Sequence, residues 1–169
     1  MTGKLLIFGM GYTAKRLARY LRDKGWDVAG TSRTAAPGIV MFDDAASVNA
    51  ALSQATHILS SVPPLREGSD PVLVRYGKAL AEAPAKWIGY LSSTGVYGDT
   101  QGAWVDESAS VGHGRRSARA AADLDWQKLR PDVRIFRLPG IYGPGRSALD
   151  RVREGKAHRI DIPDQVFSR

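Results

Sequence analysis

The chain has 169 residues, 43% of them apolar, with 18 glycines, no cysteine and a formal net charge of +7. That length suits one domain with a sizeable core. The missing cysteine excludes a disulfide framework, a thiolate metal site and a cysteine nucleophile. No apolar run approaches the ~18 residues of a membrane helix, and Leu5-Leu6-Ile7-Phe8 meets Gly9 at once rather than extending into a signal peptide. The expectation is a cytoplasmic protein that does not bind a membrane. A basic balance suits anionic partners. The basic residues are scattered, however, and the densest groups (Arg115-Arg116-Arg119 and residues 146–156) read as solvated helix faces. Without an aromatic-rich basic stripe, no nucleic-acid binding is expected.

Residues 4–9 form a β-rich run ending in glycine. Residues 12–24 have helical spacing, with Leu17, Ala18 and Leu21 on one face and Gly25 as the stop. Strands are predicted at 26–31 and 39–42, a short helix at 45–54 and a fourth strand at 56–60. Pro63-Pro64 opens a loop. A helix over 71–83 begins with Pro71, a residue suited to the first turn. A fifth strand at 87–91 leads into a long polar loop, 92–112. An Ala-rich helix covers 116–129, a sixth strand 133–138, a Gly/Pro loop 139–146 and a last helix 148–154. Strands alternating with helices imply βαβ units, a parallel sheet and right-handed crossovers. No linker divides the chain, and no solenoid repeat or low-complexity segment is present.

Gly9-Met10-Gly11-Tyr12-Thr13-Ala14 follows the first strand and opens the first helix. It reads as G-x-G-x-x-A. Gly9 permits a tight turn, Gly11 lets the backbone approach a pyrophosphate, and Ala14 allows close helix–strand packing. The helix start then offers free N–H groups and a positive dipole end, so the amides of Gly11, Tyr12 and Thr13 are candidate ligands of an anion. Strand, turn and helix in this order give the motif its context, and the expected fold is an α/β Rossmann-type doubly wound parallel sheet. At the end of the second strand, NAD sites usually carry an acidic residue. Here the chain has Thr31-Ser32-Arg33. Ser32 and Arg33 suit a 2′-phosphate, so NADP is the expected cofactor, with NAD as the alternative. Asp43 is either a neighbour of the adenine or the cap of the helix near Ala45.

Leu91-Ser92-Ser93-Thr94-Gly95-Val96-Tyr97-Gly98-Asp99 and Arg137-Leu138-Pro139-Gly140-Ile141-Tyr142-Gly143-Pro144-Gly145-Arg146 stand at two strand ends. With the glycine turn, these segments resemble the extended short-chain dehydrogenase/reductase superfamily, the NAD(P)-dependent nucleotide-sugar epimerases and dehydratases. The G-x-G-x-x-A form, with Pro63-Pro64 after the fourth strand, looks more like an atypical branch. The resemblance covers nearly the whole chain. It implies that Ser93 hydrogen-bonds a substrate oxygen and that Pro139 lies near the nicotinamide. Relatives then use a Y-x-x-x-K pair, in which the Lys makes the Tyr a usable acid/base. A tyrosine at its ordinary pKa of about 10 is a poor base without such a cation. The best register here puts Arg115 at the Tyr position and Arg119 at the Lys position, with Asp123 following. Arg119 can serve as a cation for a ribose or phosphate, whereas Arg115 stays protonated and is no base. No tyrosine stands between Tyr97 and Tyr142, and these two are the candidate substitutes.

His113 is a weaker substitute acid/base; His57 reads as semi-buried in a strand and His158 as exposed. No pair has metal-ligand spacing. Relatives continue into a smaller substrate lobe, so the chain reads as the nucleotide-binding part, residues 1–169, with the lobe largely missing. Exposed apolar surface and a homo-oligomer are then expected. The resulting reading is an epimerase/dehydratase/reductase-like protein for a small-molecule substrate, sugar-like or another carbonyl or hydroxyl compound. Its rival is a sensor or scaffold that keeps the cofactor site and lacks the acid/base.

Overall fold

A computed structural model describes residues 3–112 and 117–158. Six strands form one parallel sheet in the order β3-β2-β1-β4-β5-β6. They are β1 Lys4–Phe8, β2 Asp27–Ser32, β3 Ile39–Met41, β4 His57–Ser60, β5 Trp87–Ser93 and β6 Val133–Leu138. The helices are α1 Tyr12–Asp23, α2 Ala45–Gln54, α3 Pro71–Glu82, α4 Ser117–Leu129 and α5 Ala148–Arg153. This is the doubly wound order, reversing between β1 and β4, and it confirms the expected fold class.

Each buried strand is a near-continuous apolar run, as a sheet covered on both faces requires. Leu5, Leu6, Ile7 and Phe8 are all buried. One face packs Leu6, Phe8, Ile58, Ile88 and Tyr90 against Val48 and Leu52 of α2, Val72, Tyr76 and Leu80 of α3, and Ala122 and Trp126 of α4. The other face packs Leu5, Ile7, Val28 and Leu59 against Ala14 and Ala18 of α1. Small residues at 14 and 18 let α1 lie close to the sheet. Each fully buried Leu, Ile or Val contributes roughly 1.5–3 kcal/mol.

Trp126 shows how a polar contact fixes that packing. Its ring stacks on Tyr90 at 5.1 Å, and its Nε1–H donates to Asp70 Oδ2 at 2.9 Å. Asp70 also caps α3, accepting from the N–H groups of Val72 and Leu73. One carboxylate thus starts one helix and holds a second.

Two expectations are corrected. The fifth strand continues to Ser93, because Ser92 and Ser93 pair in register with Arg137 and Leu138. A 3-10 turn, Thr94–Tyr97, then occupies what reads as irregular loop. The cap of α2 is Asp44, not Asp43: its carboxylate accepts from the Ser47 N–H at 3.2 Å. His57 is half-buried and His158 exposed, as expected. Large apolar side chains are exposed at Val74, Trp104, Tyr142, Leu149 and Val152.

Candidate functional site

Parallel register brings the ends of β1, β2 and β4 to one point. Phe8 pairs with Thr31 on one side and with Ser60 on the other. Gly9, Ser32 and Ser61, the next residues, therefore meet at the switch point where doubly wound sheets bind ligands. Gly9 has φ +83°, and a Cβ there would lie 2.9 Å from Val62 Cγ2, so this turn needs glycine on two counts. The turn is tied on both sides. Gly9 N–H donates to the buried Thr31 Oγ1 at 3.2 Å, and the Ser61 hydroxyl donates to the Gly9 carbonyl at 2.7 Å.

Gly11 is the N-cap of α1, and no side chain caps that helix. A Cβ on Gly11 would meet nothing within 4 Å. The glycine is therefore not required by internal packing, and the first amides of α1 have no side-chain cap. Ala14 is fully buried, as its packing role demands. Tyr12 and Thr13 occupy the first turn. These features fit a pyrophosphate over the helix start. Ser32 is half-buried, and its Oγ accepts from the Thr34 N–H at 3.1 Å. Arg33 is exposed at the mouth of the same strand. Asp43 forms a 3.3 Å ion pair with Arg75, and both side chains are largely exposed.

Ser93 ends β5, and its Oγ accepts from the Gly95 N–H at 3.2 Å, fixing the 3-10 turn. Register partner Leu138 places Pro139 beside it on the neighbouring strand. Ser93 and Pro139 are thus brought together. Arg119 sits in the first turn of α4, near the hydroxyl of Tyr90. Burial pushes the Tyr90 phenol up to about 12, against the opposing pull of the Arg119 guanidinium. Tyr90 Oη and Ser60 Oγ, side chains of paired residues on adjacent strands, are fully buried with no hydrogen-bond partner among the described residues. His113, Arg115 and Arg116 lie outside the described residues.

Beneath Ser93 lies a polar network that the sequence did not reveal. Asp123 is fully buried. Its carboxylate accepts from the Ser92 hydroxyl at 2.6 Å, from Gln127 Nε2 at 2.7 Å, and from two guanidinium nitrogens of Arg137 at 3.0 and 3.2 Å. Arg137 also donates to Tyr97 Oη and to the Glu107 carbonyl, both at 3.1 Å. The hydrogen bonds to Asp123 raise the Arg137 pKa further above its ordinary value. The network joins β5, β6, α4 and the turn carrying Tyr97. In the sequence, Asp123 stands out only through the motif register, and nothing local pairs it with Ser92 or Arg137. Ser61 and Thr31 were likewise legible only as ordinary strand-end residues.

Among the described residues, no group of three or more His, Asp or Glu side chains can hold a metal ion, and no helix is long and apolar enough to cross a membrane.

Fold and turn together define a Rossmann-type α/β domain in architecture. The chain is 31% identical over 170 residues to Protein YeeZ of Escherichia coli (strain K12), covering 85% of this chain and 60% of that protein. A conserved protein of unknown function from Silicibacter pomeroyi DSS superposes with a TM-score of 0.80 at 39% identity, covering 98% of this chain and 62% of the other. A proposed NAD-dependent epimerase/dehydratase from Methylobacillus flagellatus superposes with a TM-score of 0.70 at 28% identity, covering 91% and 59%. No family model matches the chain. The glycine turn, the two strand-end motifs and the likeness to the Methylobacillus flagellatus protein support a resemblance to the extended short-chain dehydrogenase/reductase superfamily. It spans about 60% of the length of the curated relative it matches.

Proposed function

We propose that this chain binds a nicotinamide dinucleotide, NADP in preference to NAD, as the nucleotide-binding domain (residues 1–169) of an epimerase-, dehydratase- or reductase-like enzyme. The observation that carries the reading is the open, uncapped start of α1 beside Gly9 and Gly11. The likeness to a proposed NAD-dependent epimerase/dehydratase supports it. When bound, the dinucleotide would supply hydride chemistry. The chain's own residues bind and orient. The amides of Gly11, Tyr12 and Thr13 receive the diphosphate, and Ser32 and Arg33 receive a 2′-phosphate. Ala14 keeps the helix close to the sheet, Asp43 borders the adenine side and Pro139 the nicotinamide side.

Ser93 would donate a hydrogen bond to an oxygen of a sugar-like or other carbonyl or hydroxyl substrate, and Arg119 would supply a fixed positive charge beside the cofactor. The experiment is titration of the folded protein with NADPH and NADH, followed by a turnover screen with Ser93→Ala as control. NADPH binding with turnover lost in Ser93→Ala is the expected result. Binding without any turnover would favour the second reading, a sensor or scaffold. That reading is favoured by the tyrosines themselves: Tyr90 is buried with a raised pKa, and Tyr97 Oη accepts from Arg137.

A further inference from the structure

The loop after β6 does not run free. Its tip meets the N-terminal half of α1, at Tyr12 and Arg16. Gly143 and Arg146 pair with each other through two backbone hydrogen bonds of 3.0 and 2.8 Å, closing a tight turn at Pro144-Gly145. The Pro144 carbonyl at that tip accepts from Tyr12 Oη at 3.1 Å and from Arg16 Nη2 at 2.9 Å. A Cβ on Gly143 would lie 2.5 Å from the Tyr12 hydroxyl, so a larger residue there would force the Tyr12 side chain to shift.

The latch gathers charge. The Arg16 guanidinium lies 3.6 Å from the centre of the Tyr12 ring, and that of Arg146 lies 5.5 Å from the same ring. Both arginines are exposed. Among the described residues, neither forms an ion pair with a carboxylate. Two uncompensated guanidinium groups are thus held around one aromatic ring at the residue that follows Gly11. Stacking and the bond to Pro144 restrict Arg16, and the turn restricts the backbone of Arg146. Less side-chain freedom then remains to be lost on binding an anion. Guanidinium forks suit the oxygens of a phosphate, and two of them suit adjacent phosphates.

We propose that Arg16 and Arg146, assembled on Tyr12 by the 139–146 loop, form a two-pronged site for a diphosphate group. The inference rests on the dinucleotide reading for its location, since the same helix start receives the diphosphate there. The group could belong to the cofactor or to a nucleotide-linked substrate, and the two sources are separable by experiment.

The test is calorimetric titration of the native chain and of the Arg16→Ala/Arg146→Ala double variant with NADPH, UDP and AMP. Losing two charge-assisted hydrogen bonds should weaken a diphosphate ligand by roughly tenfold or more. AMP, with a single phosphate, should change by less than about twofold on the same reasoning. A loss confined to NADPH assigns the site to the cofactor, and a loss confined to UDP assigns it to a substrate. The Arg16→Lys/Arg146→Lys variant keeps both charges without the planar forks and should fall between the two, which guards against misfolding of the alanine variant. If the native chain binds NADPH and both variants bind NADPH and UDP equally well, the arginine site is overturned while the dinucleotide reading stands. An equal loss for AMP would reduce the arginines to general electrostatics and overturn it too. Binding of neither NADPH nor UDP by the native chain would overturn both.

Discussion

At the β1–α1 turn the candidate site is made of main-chain shape, whereas at the ends of β5 and β6 it is made of side chains that hold one another. The turn needs Gly9 for its φ of +83° and leaves open space around Gly11. The other region needs Asp123, Arg137, Ser92 and Tyr97 in mutual contact. The first arrangement costs little to keep ready, because amides at a helix start are unpaired in any case. The second is a buried ion pair, which gives little net stability while intact but is expensive to break. The comparison predicts that damage to the strand ends shows first in stability, and damage to the turn first in binding.

The largest expected effect follows from Asp123→Ala. It leaves the Arg137 guanidinium, with a side chain only 13% exposed, without its carboxylate. Urea unfolding should show a loss of about 3 kcal/mol or more. A loss below 1 kcal/mol would mean that Arg137 swings to solvent and the network is not structural. At the turn, Gly11→Val should behave in the opposite way. Its side chain enters open space, so stability should fall by less than about 1 kcal/mol, an N-cap-sized change. NADPH affinity should nonetheless fall about a hundredfold, from blocked backbone approach. Equal losses of stability and binding would erase the contrast between the two regions.

This difference explains what could be read in advance. The β1–α1–β2 unit was legible because glycine spacing, helical period and a stop glycine are local signals. Chain order then gave the sheet topology, since consecutive βαβ units leave few alternatives. The extension of β5 through Ser92 and Ser93 was not legible, because two serines read as loop until a neighbouring strand pairs with them. Asp43 and Asp44 are equivalent in sequence, and only local backbone geometry selects Asp44 as the cap. Asp123 and Arg137 are 14 residues apart on different elements, a pairing with no short-range signature. Arg119 stands out only through the motif register. Its neighbour, the buried Tyr90 hydroxyl, sits in a run that reads as plain apolar strand.

Smaller effects sharpen the same comparison. Arg33→Asp at the mouth of β2 should weaken NADPH about tenfold, the value of one charge-assisted contact, and NADH much less. Equal losses would reject the assignment of the 2′-phosphate. Within the core, Tyr90→Phe removes a buried hydroxyl that has no hydrogen-bond partner among the described residues, so stability should stay level or rise by up to about 1 kcal/mol. The phenol also gives a pH signature. Its pKa is raised from 10 to about 12 in the folded chain. The folded state therefore holds that proton more tightly, and the associated stability is intact below pH 10 and is lost as pH rises from 10 towards about 12. Denaturant midpoints measured across that range should decline more steeply for the native chain than for Tyr90→Phe.

Dinucleotide binding depends most on the uncapped start of α1, and direct titration of the folded native chain with NADPH and NADH tests it. Binding of both, with NADPH the tighter, is the predicted result. A folded sample that binds neither would contradict the dinucleotide site, whatever the fold resembles.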